Sequence, residues 1–287
     1  MTRVVGRFAP SPTGRLHAGS LLAALGSYLS ARHAGGAWHL RIENIDPPRE
    51  MPGAADDFLR QLEAHGLHWD GEVVWQADRR DAHEALLAQL RTSDRVYACQ
   101  CSRSALQAAG RPDCLGPCRQ AGLQEGAWRL RAPDHVITYH DRLRGLLQED
   151  LRTTCGDAVL KRRDGFIAYQ LAVVADDAAL GVTEVVRGAD LLDNTARQVW
   201  LQQCLGLPTP DYLHLPLIRG SNGRKLSKQN FAQPLDASRA ARNLHEALTM
   251  LGQCPPADLA NAPAATLLSW ATAHWSVASI PRDDAPA

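Results

Sequence analysis

One stretch limits the possible folds more than any other. The apolar pair Val4-Val5 runs into Arg7-Phe8-Ala9-Pro10-Ser11-Pro12-Thr13-Gly14, and His17-Ala18-Gly19-Ser20 follows. Beyond it, Leu21, Leu22, Leu25, Tyr28 and Leu29 share one helical face. The apolar start predicts a strand, two prolines and Gly14 stop it and force a turn, and a helix begins. His17 and Ser20 then stand at the helix mouth, where unsatisfied N–H groups and partial positive charge suit a phosphate. There His17 can donate hydrogen bonds to a phosphate, Gly19 lets a flat base approach the backbone, and Ser20 can cap the helix. Alone, the motif is more often an ordinary helix start than a phosphate site.

Downstream, Trp38, Leu40 and Ile42 alternate with His39, Arg41 and Glu43, which predicts a half-buried second strand. Glu43 falls at its carboxyl end, where ligands collect in open α/β sheets, although position alone also allows a surface charge. Helices are expected around Ala55, Leu59 and Leu62, and over 78–92 with Leu86, Leu87 and Leu90 inward. The mostly apolar run Ile167–Val174, which contains Tyr169, reads as a strand buried on both faces. A further strand, Thr183–Gly188, ends near Arg187, a guanidinium suited to gripping a carboxylate. Leu192, Ala196 and Val199 mark the next helix, and two more are expected near 238–251 and 263–275. The alternation predicts an α/β fold with a Rossmann-like doubly wound parallel sheet over residues 1–235, and a short helical C-terminal appendage over 236–287.

Seven cysteines are present, and four crowd together as Cys99-Gln-Cys101 and Cys114-Leu-Gly-Pro-Cys118. Two close thiolate pairs suit one structural zinc ion stapling a small insertion over 98–120; the alternative is a set of reduced buried cysteines. Four protein ligands leave such a zinc no open position for chemistry. The chain has 31 basic and 31 acidic residues, so contact with nucleic acid must come from local patches. One such patch is Arg219–Lys228, which has four basic residues, no acidic ones and two glycines. It reads either as solvated surface or as a loop whose Lys225 and Lys228 close over nucleotide phosphates. No apolar run reaches membrane-span length and no signal-peptide pattern opens the chain, so a cytoplasmic location without membrane contact is expected.

In this order the motifs resemble the catalytic domain of the class I aminoacyl-tRNA synthetases. His17-Ala-Gly-Ser20 stands where that class has its His-x-Gly-His signature, and Lys225-Leu-Ser-Lys228-Gln229 where it has its Lys-Met-Ser-Lys-Ser loop. Arg7–Gly14, Arg41-Ile-Glu-Asn-Ile-Asp46 and Val186-Arg-Gly-Ala-Asp190 narrow the resemblance to the glutamyl/glutaminyl branch, over roughly residues 3 to 235. The chain stops soon after the lysine loop, where a glutamyl-tRNA synthetase continues into a large anticodon-binding region. In this it is similar to the truncated paralogues, the glutamyl-Q tRNA(Asp) synthetase family.

That resemblance implies ATP- and Mg²⁺-dependent activation of L-glutamate, followed by ester formation with queuosine in the anticodon of tRNA(Asp). A monomer without an anticodon-binding domain is expected. By the same resemblance Arg7, Phe8, Ala9, Pro10, Ser11, Glu43, Tyr169 and Arg187 surround glutamate. His17, Gly19 and Lys228 hold ATP, and His17, Ser20, Lys225 and Lys228 act in catalysis. Cys99, Cys101, Cys114 and Cys118 match the family's zinc insertion. Three departures stand out: Ser20 replaces the second histidine, Gln229 the final serine, and Asn44 a frequent aspartate. Two other readings stay open, a compact glutamyl-tRNA synthetase charging a 3′ end and a catalytically silent RNA-binding relative.

Overall fold

The computed structural model describes residues 3–108, 110, 116–219, 234–282 and 285–286. Cys114, Lys225, Lys228 and Gln229 lie outside the described residues.

The first strand, β1 (Val5–Phe8), leads through the proline loop to α1 (Ala18–His33), and β2 (Ala37–Ile42) returns parallel to β1. After α2 (Ala54–Ala64), the two-residue β3 (Val74–Trp75) pairs parallel to β2. The chain continues through α3 (Arg80–Thr92), β4 (Val96–Cys99), α4 (Arg103–Ala108) and β5 (Ala127–Leu130). A hairpin of β6 (Ile137–Asp141) and β7 (Gly145–Glu149) follows, then the one-turn α5 (Leu151–Thr154). The next strand, β8 (Val159–Lys161), completes a small antiparallel sheet in the order β4-β5-β8.

The chain then forms α6 (Tyr169–Ala179), β9 (Glu184–Gly188), α7 (Thr195–Leu205) and β10 (Asp211–Leu215), with β10 parallel to both β9 and β6. Thr183 N–H donates to the Val5 carbonyl at 2.9 Å, which sets β9 alongside β1. The result is an α/β fold built on parallel pairing. Short parallel strands joined by helices bring the carboxyl ends of β1, β2, β9 and β10 to one side. Against the sheet, α1 lies close at Gly26, where a Cβ would come within 2.6 Å of Leu215 Cδ1. Any larger residue there would force the Leu215 side chain or the helix itself to shift.

The last two helices, α8 (Ala240–Met250) and α9 (Ala264–His274), place Leu244, Leu248 and Leu267 in the same apolar cluster as Leu21 and Leu25 of α1. A second cluster joins α3, α6 and α7 through Leu87, Leu90, Leu171, Val174 and Leu201. Among the described residues no helix is long and apolar enough to cross a membrane.

One expectation is corrected. Residues 167–174 were expected as a strand, and most of that run forms α6 instead. Leu171, Ala172, Val173 and Val174 are all buried, so this helix is enclosed on every side and shows no polar stripe. An apolar run of that length fits a buried strand or a buried helix equally well, because periodicity carries no information when all faces are covered.

Candidate active site

A cavity of about 590 Å³ opens between the carboxyl ends of the strands and the mouth of α1. It gathers residues that lie far apart in sequence: Arg7, Phe8, Ala9, Pro10 and Ser11 after β1, Glu43 after β2, Tyr169 at the start of α6 and Arg187 on β9. His17, Gly19 and Ser20 line it from the helix side. The two flanks of the undescribed lysine segment also meet it. Leu217 is in the cavity wall, while Pro234 bridges to His17 and Leu235 N–H donates to Leu16 O at 3.0 Å.

The helix mouth differs from expectation in one respect. The N-cap of α1 is His17, not Ser20: its Nδ1 accepts from the Ser20 backbone N–H at 3.3 Å. An imidazole that accepts at Nδ1 while neutral carries its proton on Nε2. Capping thus fixes the tautomer as well as one orphan amide.

One wall of the cavity, where Arg7 and Glu43 lie in the lining, is backed by a chain of ion pairs. Asp177 on α6 accepts from Arg7 Nε at 3.1 Å and from Arg41 Nη1 at 2.5 Å. Arg41 Nη2 donates onward to Glu43 Oε1 at 3.0 Å, and Ser11 Oγ lies 3.5 Å from Glu43 Oε2. All four charged groups are buried. Burial opposes the charge of Asp177, but Arg41 and Arg7 outweigh it and hold the carboxyl below its ordinary range. For Glu43 the balance goes the other way: burial pushes its carboxyl up, against the pull of Arg41 and Arg7. Burial also works against the charge of Arg41, and Asp177 with Glu43 more than restores it.

The opposite wall is built differently. Arg187, also buried, donates from Nε to His214 Nε2 at 3.0 Å, from Nη1 to Gln198 Oε1 at 2.8 Å, and from Nη2 to Thr195 Oγ1 at 2.9 Å and Leu191 O at 3.3 Å. Every one of these acceptors is neutral. Gln198 in turn donates to Gln170, and Gln170 to Asn194, which returns to the cavity lining. Tyr169 sits between the two walls. Burial and the nearby Glu43 push its phenol up, and its hydroxyl has no hydrogen bond among the described residues.

Sequence reasoning gave no role to Arg41, Asp177, His214 or Asp141. Asn44, one of the departures noted above, uses its side-chain oxygen to accept from Ala77 N–H at 2.9 Å. The cysteines gather only in part within the described residues. The sulfurs of Cys99, Cys101 and Cys118 lie within 4.8 Å of one another, with Cys101 and Cys118 at 3.5 Å. Asp157 anchors this insertion, accepting from Tyr97 Oη at 2.6 Å, Arg119 Nε at 2.6 Å and Ala132 N–H at 2.7 Å. A second cavity nearby holds Arg91, Arg119 and Arg131. There Arg119 is committed to Asp157, Arg131 to Asp94, and Arg91 lies 4.2 Å over the Trp128 ring.

The sequence model for tRNA synthetases class I (E and Q), catalytic domain, matches residues 3–114 and 119–250. Among curated relatives, the glutamyl-Q tRNA(Asp) synthetase of Chromobacterium violaceum is 52% identical over 284 residues, covering 96% of this chain and 95% of that protein. The protein of the same name from Xanthomonas campestris pv. campestris is 53% identical over 280 residues, covering 96% and 93%. A crystal structure of a glutamate tRNA ligase from Elizabethkingia meningosepticum in complex with its amino acid superposes with a TM-score of 0.82 at 26% identity. That match covers 99% of this chain and 67% of the ligase. The chain therefore belongs to the glutamyl/glutaminyl class I aminoacyl-tRNA synthetases and, within them, to the glutamyl-Q tRNA(Asp) synthetase family.

Proposed function

We propose that the chain activates L-glutamate with ATP and transfers the glutamyl group to queuosine in the anticodon of tRNA(Asp). The observation that carries this reading is the near end-to-end similarity to proteins named for that reaction. The cavity suits the first half of the chemistry. Glu43 pairs with the α-ammonium of glutamate, Arg187 takes a carboxylate, and the Tyr169 hydroxyl offers a further hydrogen bond. A glutamate α-carboxylate oxygen attacks the α-phosphorus of ATP. An O–P bond forms, the bond to the bridging oxygen breaks, and pyrophosphate leaves with the electron pair.

His17, through its Nε2–H, and the amides at the start of α1 stabilise charge on the phosphates. Gly19 leaves room for the nucleotide, and Ser20, Lys225 and Lys228 are assigned to the same step by sequence. A hydroxyl of the modified base then attacks the acyl carbonyl and loses its proton, and AMP departs. Mg²⁺ would arrive with the triphosphate, held chiefly by phosphate oxygens and water. The thiol set of Cys99, Cys101 and Cys118 fits the soft-ligand preference of zinc, and Cys114 would complete four ligands. A closed site of that kind holds the insertion together and takes no part in the reaction.

The test is transfer of labelled glutamate to bulk tRNA from cells with and without queuosine. Label only on queuosine-containing tRNA supports the reading. Equal labelling points to charging of a 3′ end, and no glutamate-dependent pyrophosphate exchange at all points to a silent relative.

A further inference from the structure

Three neighbouring strands each contribute one buried residue to a line behind the cavity. Asp141 ends β6, His214 lies on β10, and Arg187 stands directly opposite His214 in the β9–β10 ladder. Asp141 Oδ2 accepts from His214 Nδ1 at 2.7 Å and from the His214 backbone N–H at 3.0 Å. Its other oxygen accepts from Leu143 N–H at 2.9 Å and Arg144 N–H at 2.8 Å. Both Asp141 and His214 are fully buried. An ionised carboxylate only accepts, so His214 Nδ1 must carry the proton. On the far side Arg187 Nε only donates, so His214 Nε2 must be the bare acceptor. The two neighbours thus specify one neutral tautomer between them.

We infer that Asp141 and His214 are positioning residues that aim Arg187 into the glutamate cavity without neutralising it. This deepens the glutamate reading above and rests on it. A carboxylate in direct contact would orient a guanidinium equally well, as Asp177 does for Arg7 and Arg41. It would also occupy the charge that a substrate carboxylate needs. Interposing an imidazole keeps the anion one ring away and presents Arg187 with a neutral acceptor instead. The same geometry works against protonation of His214. A cationic ring would bring an N–H against Arg187; among the described residues, the groups around it are Asp141 as the anion, Arg187 and Arg144 as cations, the Tyr212 ring stacked on it, and Tyr139 against Tyr212.

The test compares full-length variants in glutamate-dependent pyrophosphate exchange, with unfolding midpoints recorded for each. His214→Glu places a carboxylate against Arg187 and should raise the KM for glutamate at least about tenfold above that of His214→Gln, which keeps a neutral acceptor. Asp141→Asn releases the tautomer and should raise the KM for glutamate several-fold. Neither change should move the KM for ATP by more than about twofold. Equal glutamate KM values for His214→Glu and His214→Gln would overturn the inference, as would parallel changes in both KM values.

A readout on the unaltered protein covers variants that do not fold. Nitrogen NMR of labelled histidine should report one exchange-protected ring protonated at Nδ1 and bare at Nε2. The opposite tautomer or an imidazolium there at neutral pH overturns the inference. If the unaltered chain activates no glutamate, with or without tRNA, the functional reading itself falls and this inference with it. Activation with unaltered variant KM values removes only the positioning role.

Discussion

The two walls of the cavity solve opposite problems with the same residue types. On one, Arg7, Asp177, Arg41 and Glu43 alternate in sign and pair with one another. On the other, Arg187 has comparable burial but only neutral acceptors, with Asp141 held off behind His214. A buried charge without a counter-ion is costly, and folds usually supply one. Leaving Arg187 short of an anion makes sense where a ligand brings the anion. The paired wall therefore serves chiefly stability, and the other wall chiefly binding.

Replacing the same kind of residue on each wall should separate these roles. Arg41→Met leaves Asp177 and Glu43 buried with much of their compensation gone, and should lower unfolding free energy by about 3–5 kcal/mol in denaturant titrations. Arg187→Met removes a charge that has no ionic partner among the described residues. Its stability cost should stay within about 1–3 kcal/mol, the penalty of leaving a buried acceptor unsatisfied. Its KM for glutamate should rise about 10- to 100-fold, the loss of one charge-assisted contact. If Arg187→Met proves as destabilising as Arg41→Met, the contrast between the walls fails.

Much of the paired wall was hidden from sequence reasoning for a physical reason. Glu43 and Arg187 were legible because strand ends collect ligands, and Arg7 and His17 because a proline loop feeds a helix mouth. Asp177 was not, because its partners lie 136 and 170 positions away and its helix looks like a strand. A sign of helix was nevertheless present. Asp176 and Asp177 close the apolar run, and both are buried: Asp176 faces Arg79, His83 and Gln76, while Asp177 faces Arg7 and Arg41. Adjacent acids buried toward different partners fit a helix surrounded on all sides better than a strand between two apolar layers. His214 carried no motif at all, and only the β9–β10 register identifies it.

The smallest expected effect is a pH dependence that distinguishes two carboxylates on the same wall. Asp177 is held below its ordinary range, so it contributes stability that is complete above its unfolded value, near about 3.9, and is lost as pH falls through its folded value. Glu43 is raised, so its contribution is complete below its unfolded value, near about 4.3, and is lost as pH rises through its folded value. At the binding step the sign matters in another way, because a protonated Glu43 cannot pair with an ammonium group. The KM for glutamate should therefore begin to rise, on acidification, at a pH above the ordinary carboxylate range, while Asp177 is still charged and the protein still folded. Glu43→Gln should raise that KM several-fold at neutral pH and flatten its pH profile. A profile unchanged by Glu43→Gln would assign the titration to another group and remove Glu43 from the ammonium site, leaving it a structural member of the paired wall.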